Sequence, residues 1–326
     1  MKLSENIFEI TSEKEFERIA IALFHFQYEN NFLYQQYCNL LQVAPSEVKT
    51  IRQIPFLPIS FFKTHVVKTG NFKEETIFLS SGTTGDAQSK HYVKDLALYE
   101  ESFQKGFKQV YGDVSDYCIL ALLPSYMERE GSSLIYMVDH LINKSGHTKS
   151  GFYLNHREEL VDVLMELEKT NQKTILFGVS FALLDFVEEH QLELKNTTII
   201  ETGGMKGRRK ELTREELHSI YKKRLGVTSI HSEYGMTELL SQAYSTEDGV
   251  FRTPSWMKIM IRDINDPLAF LSKGKVGGIN VIDLANKYSC SFIATQDLGK
   301  IKDENNFEIL GRFDDSDLRG CNLLIN

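Results

Sequence analysis

Apolar residues recur at helical spacing across residues 11–41. Phe16, Ile19, Ala20 and Leu23 fall on one face, behind a Ser12/Glu15 capping-box pattern, and this predicts a helix. An irregular stretch around Pro55 and Pro58 follows and ends in Ile59-Ser60-Phe61-Phe62. From residue 76 the pattern alternates. Short apolar runs at 76–79, 117–123, 174–177 and 197–201 predict strands, and amphipathic stretches at 95–110, 133–143, 158–168, 181–189 and 213–224 predict helices. Strands that are apolar almost throughout, each followed by a helix, imply a mainly parallel sheet covered on both faces. After about residue 245 the helical pattern fades, and 256–261, 279–282 and 307–310 read as strands.

The expected class is therefore α/β. Residues 1–245 would form a large region with a mainly parallel sheet, and 246–326 a β-rich region. At ~150 residues per domain, 326 residues suit about two domains. A net charge of -8 disfavours a general nucleic-acid binder, so an anionic ligand would need local donors. No apolar run approaches the ~20 residues of a membrane span, and no leader pattern opens the chain. Cys38, Cys118, Cys290 and Cys321 are scattered without a CxxC pair. That spacing argues against a structural zinc site and against a disulfide framework, and it fits a reducing cytoplasm.

Two segments carry candidate chemistry. Ser80-Ser81-Gly82-Thr83-Thr84-Gly85 follows a predicted strand and precedes Lys90. Glycines that admit close backbone approach, several hydroxyls and a cation would suit a polyphosphate, although the Walker pattern is absent; a plain turn has the same composition. Ser232-Glu233-Tyr234-Gly235-Met236-Thr237-Glu238 offers an aromatic face, a hydroxyl and a carboxylate suited to Mg²⁺; a helix start at Thr237 and Glu238 would account for it equally.

Taken together these segments resemble the adenylate-forming superfamily. Ser81 to Gly85 with Lys90 looks like its phosphate loop, and Tyr234-Gly235-Met236-Thr237-Glu238 like its Tyr-Gly-x-Thr-Glu motif. Thr295-Gln296-Asp297-Leu298-Gly299 looks like its Thr-Gly-Asp segment with Gln296 in place of glycine. Gly311-Arg312-Phe313-Asp314-Asp315 with Arg319-Gly320 looks like its hinge motif. Within the superfamily the chain is most similar to the LuxE-type acyl-protein synthetases, through Pro55 to Phe62, Glu201-Thr202-Gly203-Gly204, Ser232 to Glu238 and Gly320-Cys321-Asn322.

The resemblance implies ATP and Mg²⁺ as cofactors and a fatty or other carboxylic acid as substrate. Ser80, Ser81, Gly82, Thr83, Thr84, Gly85 and Lys90 would contact phosphates. Gly203 and Gly204 would lie against adenine, and Tyr234 would stack on it beside Gly235 and Met236. Thr237 and Glu238 would hold phosphate and metal, and Asp297, with Arg312, the ribose. It also implies a fold without the small C-terminal lid domain of most relatives. The acyl group would pass to Cys321, or to an acyl reductase or another acyl-accepting protein.

Other readings remain open at this level. Arg312 and Arg319 favour a Cys321 thiolate, while Asp314, Asp315 and Asp317 oppose it, and a small buried residue would look the same. Lys206, Arg208, Arg209 and Lys210 form a basic run that reads as a phosphate or partner contact or as a solvated helix entry. His231 reads as a substrate contact or as a structural histidine. Gly178-Val179-Ser180-Phe181-Ala182 nearly matches a nucleophile elbow, with Asp185, His218 and His231 following, which would make a serine hydrolase or acyltransferase. A non-catalytic nucleotide-binding subunit is a third reading. Phe177, Phe181 and Tyr126 are candidate pocket residues.

Overall fold

A computed structural model of the protein describes residues 6–81, 88–125, 127, 131–203, 212–247 and 249–313. Its α-helices are α1 (Glu13–Asn30), α2 (Phe32–Leu40), α3 (Phe61–Thr64), α4 (Leu96–Tyr111), α5 (Ser133–Ser145), α6 (Arg157–Lys169), α7 (Ser180–Glu189) and α8 (Arg214–Leu225). Its strands are β1 (Leu57–Pro58), β2 (Thr76–Leu79), β3 (Lys90–Val93), β4 (Cys118–Leu122), β5 (Gly151–Phe152), β6 (Thr174–Val179), β7 (Thr197–Thr202), β8 (His231–Tyr234), β9 (Ala243–Ser245), β10 (Val250–Arg252), β11 (Met257–Arg262), β12 (Gly277–Asp283), β13 (Phe292–Ile301) and β14 (Asn306–Arg312). The chain forms two compact units. One comprises Met1–Tyr99, Glu238–Ser241 and Arg252–Asn326; the other comprises Glu100–Thr237 and Gln242–Phe251. Each unit is thus discontinuous in sequence, whereas the 1–245 and 246–326 regions follow chain order.

The unit from Glu100 holds the parallel sheet, in the order β5-β4-β6-β7-β8, with β9 added antiparallel to β8. β4 and β6 are buried at every residue, which is why their sequences are apolar without alternation. Helices α5 to α8 supply the crossovers. Thr213 caps α8 with a capping box, and Gly226 ends it in the left-handed region at φ 66°.

The other unit is built on antiparallel strands β11-β12-β13-β14, with β1 parallel to β13. This bears out the β-rich end of the chain. Its core is aromatic: Tyr34 stacks on Phe292 at 6.1 Å, and Phe8 meets Trp256 edge-on at 4.9 Å. Gly299 is required by close approach, because a Cβ there would lie 2.5 Å from the Glu308 carbonyl oxygen. The 11–41 helix is in fact two. Asn31 breaks it because its side chain accepts from Tyr34 N at 3.1 Å and donates to Ser289 O at 3.1 Å, so it caps α2 instead of continuing α1.

Candidate functional site

Ser80 and Ser89 flank the glycine-rich loop. β2 and β3 pair antiparallel with Leu79 opposite Lys90, so the loop returns into a strand. The hairpin is closed by Ser80 N donating to Ser89 O at 3.1 Å and Ser89 N to Ser80 Oγ at 2.9 Å; Gln88 Nε2 adds a bond to Ser80 O at 2.8 Å. Ser81 and Lys90 are exposed. Gly82, Thr83, Thr84 and Gly85 lie outside the described residues, as do Gly204, the basic run Lys206–Lys210, Tyr126 and Cys321 with its flanking Asp314, Asp315, Asp317 and Arg319.

Glu238 belongs to the same unit as this hairpin and hydrogen-bonds the Ser89 side chain. Its carboxyl is buried. Burial raises its pKa above the ordinary carboxylate value, and the Ser89 bond and the Arg312 and Lys63 charges pull the other way without overcoming it. Its backbone is held from the end of β12 and the turn that follows it. Asn286 Nδ2 donates to Glu238 O at 2.7 Å, and Asp283 accepts from Leu240 N at 2.8 Å and from Ser241 Oγ at 2.6 Å. Asn286 also meets His91 of β3 at 3.0 Å, so one buried amide joins the hairpin to the Glu238 segment. Asp283 is fully buried, which lifts its pKa to about 6 in spite of its donors. Asp297 and Arg312 are paired across β13 and β14, with Arg312 Nε 3.5 Å from Asp297 Oδ1. Gln296, where relatives of the resembled superfamily have glycine, accepts from Phe313 N at 2.7 Å through its carbonyl and from Arg312 Nη2 at 3.4 Å through its side chain.

Ser80, Glu238, Asp297 and Arg312 thus share one compact unit, and Ser89, Lys63, Asp283 and Asn286 join them. Sequence reasoning missed the last four. The signal for Asp283 was a carboxylate inside the mainly apolar stretch Ile279–Ala285, and Asn286 ends that stretch. Ser89 and Lys63 carried none.

In the other unit, Gly203 ends β7 at φ 71°, and Tyr234 ends β8 with its ring 6.0 Å from Phe251. Gly235, Met236 and Thr237 are partly exposed, and a turn, not a helix, follows. The helix-start reading of Thr237 and Glu238 is therefore corrected: β8 runs directly into the turn. His231 is structural in its contacts. Tyr111 Oη lies 3.2 Å from its Nδ1, the two rings stack, and burial lowers its pKa to about 4.

The nucleophile-elbow reading does not find its relay. Ser180 is buried, and its hydroxyl bonds the Glu201 carboxylate and the Gly203 carbonyl. Asp185 pairs with Arg157, and His218 faces Glu201 at 3.9 Å. The relay read from the sequence needs a histidine to accept the serine proton, and here the Glu201 carboxylate takes that place. Phe177 is fully buried core, as are Cys38, Cys118 and Cys290, whose thiols burial pushes up to about 12, 11 and 12.

The model of the family described as acyl-protein synthetase, LuxE, matches residues 3–326. The chain belongs to the LuxE acyl-protein synthetase family. This LuxE-family chain is 23% identical over 305 residues to a long-chain-fatty-acid–luciferin-component ligase of Aliivibrio fischeri, covering 88% of this chain and 79% of that protein. Among solved structures it resembles ATP-bound MatB from Rhodopseudomonas palustris, with a TM-score of 0.56 and 17% identity over 74% of this chain. A 2-hydroxyisobutyryl-CoA ligase in an open conformation gives a TM-score of 0.65 at 12% identity, over 93% of this chain and 70% of that one. These likenesses show that the chain shares the α/β fold of those proteins. The chain spans about half the length of the MatB chain, 49%. Among the described residues, no helix is long and apolar enough to cross a membrane.

Proposed function

We propose that the protein uses ATP to activate a carboxylic acid of the fatty-acid class and passes the acyl group to a thiol. A carboxylate oxygen attacks the α-phosphorus, the bond to the β-phosphate oxygen breaks, and pyrophosphate leaves. The Cys321 thiolate then attacks the acyl carbon, and AMP departs as a thioester forms. The observation that carries the reading is the Ser89–Glu238 hydrogen bond, which ties the glycine-rich hairpin to the motif's carboxylate, a group that also feels the Arg312 and Lys63 charges. Membership of the LuxE family supports the acyl chemistry, and the ligase name of the Aliivibrio fischeri relative supports a long-chain acid.

In this scheme Ser80 to Gly85 and Lys90 hold the phosphates. Gly203, Gly204 and Tyr234 hold adenine beside Gly235 and Met236, Thr237 a phosphate, and Asp297 with Arg312 the ribose. Among the described residues no three metal-ligating side chains cluster, so a protein cage for a cation is absent there. A lone buried carboxylate fits Mg²⁺, which is commonly held by one or two carboxylates and by substrate phosphates. Glu238 would hold the ion, which when bound supplies charge neutralisation at the crowded phosphates. The acceptor beyond Cys321 is an acyl reductase or another acyl-accepting protein, and the free, scattered cysteines suit a reducing cytoplasm.

The test is ATP–pyrophosphate exchange driven by carboxylic acids, followed by labelling with a radioactive acyl chain. Acid-dependent exchange, and label on the wild type that Cys321→Ser abolishes, are expected. Equal labelling of both would reject Cys321 as the carrier. Nucleotide binding without exchange would make the protein a regulatory subunit.

A further inference from the structure

The face of β7, β8 and β9 that carries Glu233 holds polar groups left unused by the scheme above. Register puts Thr202 opposite Glu233, and Glu233 opposite Tyr244, so these three side chains share one face of the sheet. His231 and Gly235, two residues either side of Glu233, lie on it as well. Gln242 joins them: its Cγ is 3.3 Å from where a Cβ on Gly235 would be. Tyr111, at the end of α4, packs over this face through His231 and, edge-on at 5.5 Å, through Tyr244.

Two side-chain atoms here are buried and make no hydrogen bond: Thr202 Oγ1 and Gln242 Oε1. Each belongs to a residue at most 5% exposed. A buried hydroxyl or amide oxygen without a partner is costly, so two on one face mark a place where a ligand supplies the partners. Glu233 beside them is partly solvent-accessible. Its Oε1 takes the space that a Cβ on Gly235 would fill, so the glycine leaves room for the carboxyl. Burial, and Glu201 nearby, raise the Glu233 pKa to about 8, and His231 is held neutral, so the face carries little fixed charge at neutral pH.

We propose that this face binds a neutral hydrogen-bonding group, a hydroxyl or a carboxamide, on the hydrocarbon chain of the acid being activated. The proposal rests on the acyl-activation reading. Location and chemistry favour the acid over the nucleotide. The face sits at the carboxyl ends of parallel strands β7 and β8, where open α/β sheets bind their ligands. Tyr234, the expected adenine-stacking ring, alternates onto the opposite face of β8. An ionic group would find no fixed countercharge here. An unsubstituted chain would leave Thr202 and Gln242 unpaired.

The experiment is isothermal titration of the full chain with a positional series of hydroxydecanoic acids, with decanoic acid and ATP as references, alongside pyrophosphate exchange with the same acids. At least one hydroxy acid is expected to bind about tenfold tighter than decanoic acid. Thr202→Val and Gln242→Met should bring that acid back to the decanoic level. Since the Thr202 hydroxyl has no partner to lose, the Thr202→Val protein should melt no lower than wild type, which controls for misfolding. Equal binding of all the acids, or variants that weaken ATP instead, would overturn the proposal. Exchange with decanoic acid but no hydroxy preference would leave the activation reading standing and sink this one. Tight hydroxy-acid binding without exchange by any acid would sink the activation reading and, with it, the assignment of the bound acid as the substrate.

Discussion

Replacing Asn286 by alanine tests how the Glu238 segment is held. The Asn286 side chain is fully buried and makes two bonds within one unit, Nδ2 to Glu238 O at 2.7 Å and Oδ1 to His91 Nε2 at 3.0 Å. Truncation removes both partners at sites water does not reach. Two stranded polar groups at about 1–3 kcal/mol each, with the small cavity left by the amide, give a loss of about 3–6 kcal/mol. At about 2 °C per kcal/mol for a large chain, the unfolding midpoint should fall by about 6–12 °C. The assay is built into the molecule. Trp256 is the sole tryptophan, fully buried, and its Nε1 donates to Ser241 Oγ at 3.0 Å, within the same network. Its fluorescence during heating therefore reports this unit. Below the new midpoint, exchange should still fall by about tenfold, because the freed Glu238 backbone no longer fixes the carboxyl. A midpoint within 2 °C of wild type, on the basis of the same two bonds, would show that Asn286 does not tie the hairpin to the Glu238 segment.

Two further outcomes follow from the buried carboxyls. Glu238→Gln should reduce acid-driven exchange by about a hundredfold while leaving the midpoint unchanged or higher, since burial disfavours the ionised form it removes; exchange within threefold of wild type would contradict the role given to it. Glu233 has a folded-state pKa raised from 4.5 to about 8, so the stability it contributes is full below about 4.5 and is lost as pH rises towards 8. At about 1.4 kcal/mol per pH unit that is at most about 5 kcal/mol, and solvent access at one edge should halve it. Glu233→Gln should then match wild type near pH 4 and exceed it by about 2–3 kcal/mol near pH 8 in denaturant melts; parallel curves would refute the shift.

Much of the architecture was legible in the chain because burial on both faces leaves a simple signature. β4, β6 and β7 sit between covering helices, so their apolar runs stand out, and the β-rich end could be read from 256–261, 279–282 and 307–310. The strands that escaped reading are those whose residues answer to a partner or a site. β8 is His231-Ser232-Glu233-Tyr234, almost wholly polar, yet paired with a strand on each side. β13 carries Thr295, Gln296 and Asp297 in its middle, and β3 opens with Lys90 and His91. Their pairing is supplied by neighbours distant in sequence, which no local pattern records.

The same division holds for the candidate site. The order of short motifs along the chain identified the family and named Ser80, Glu238, Asp297 and Arg312, because the chemistry of holding a nucleotide limits which residue types can serve. What the sequence alone could not supply was the second set, Ser89, Lys63, Asp283 and Asn286. These residues act through contacts between segments up to about two hundred positions apart, such as His91 with Asn286. Nor could it show that Ser180 faces a carboxylate instead of a histidine, or that Thr202 and Gln242 are buried without partners. Residue type fixes what a side chain is able to do; only the folded register decides which partner it meets and which atoms are left with none.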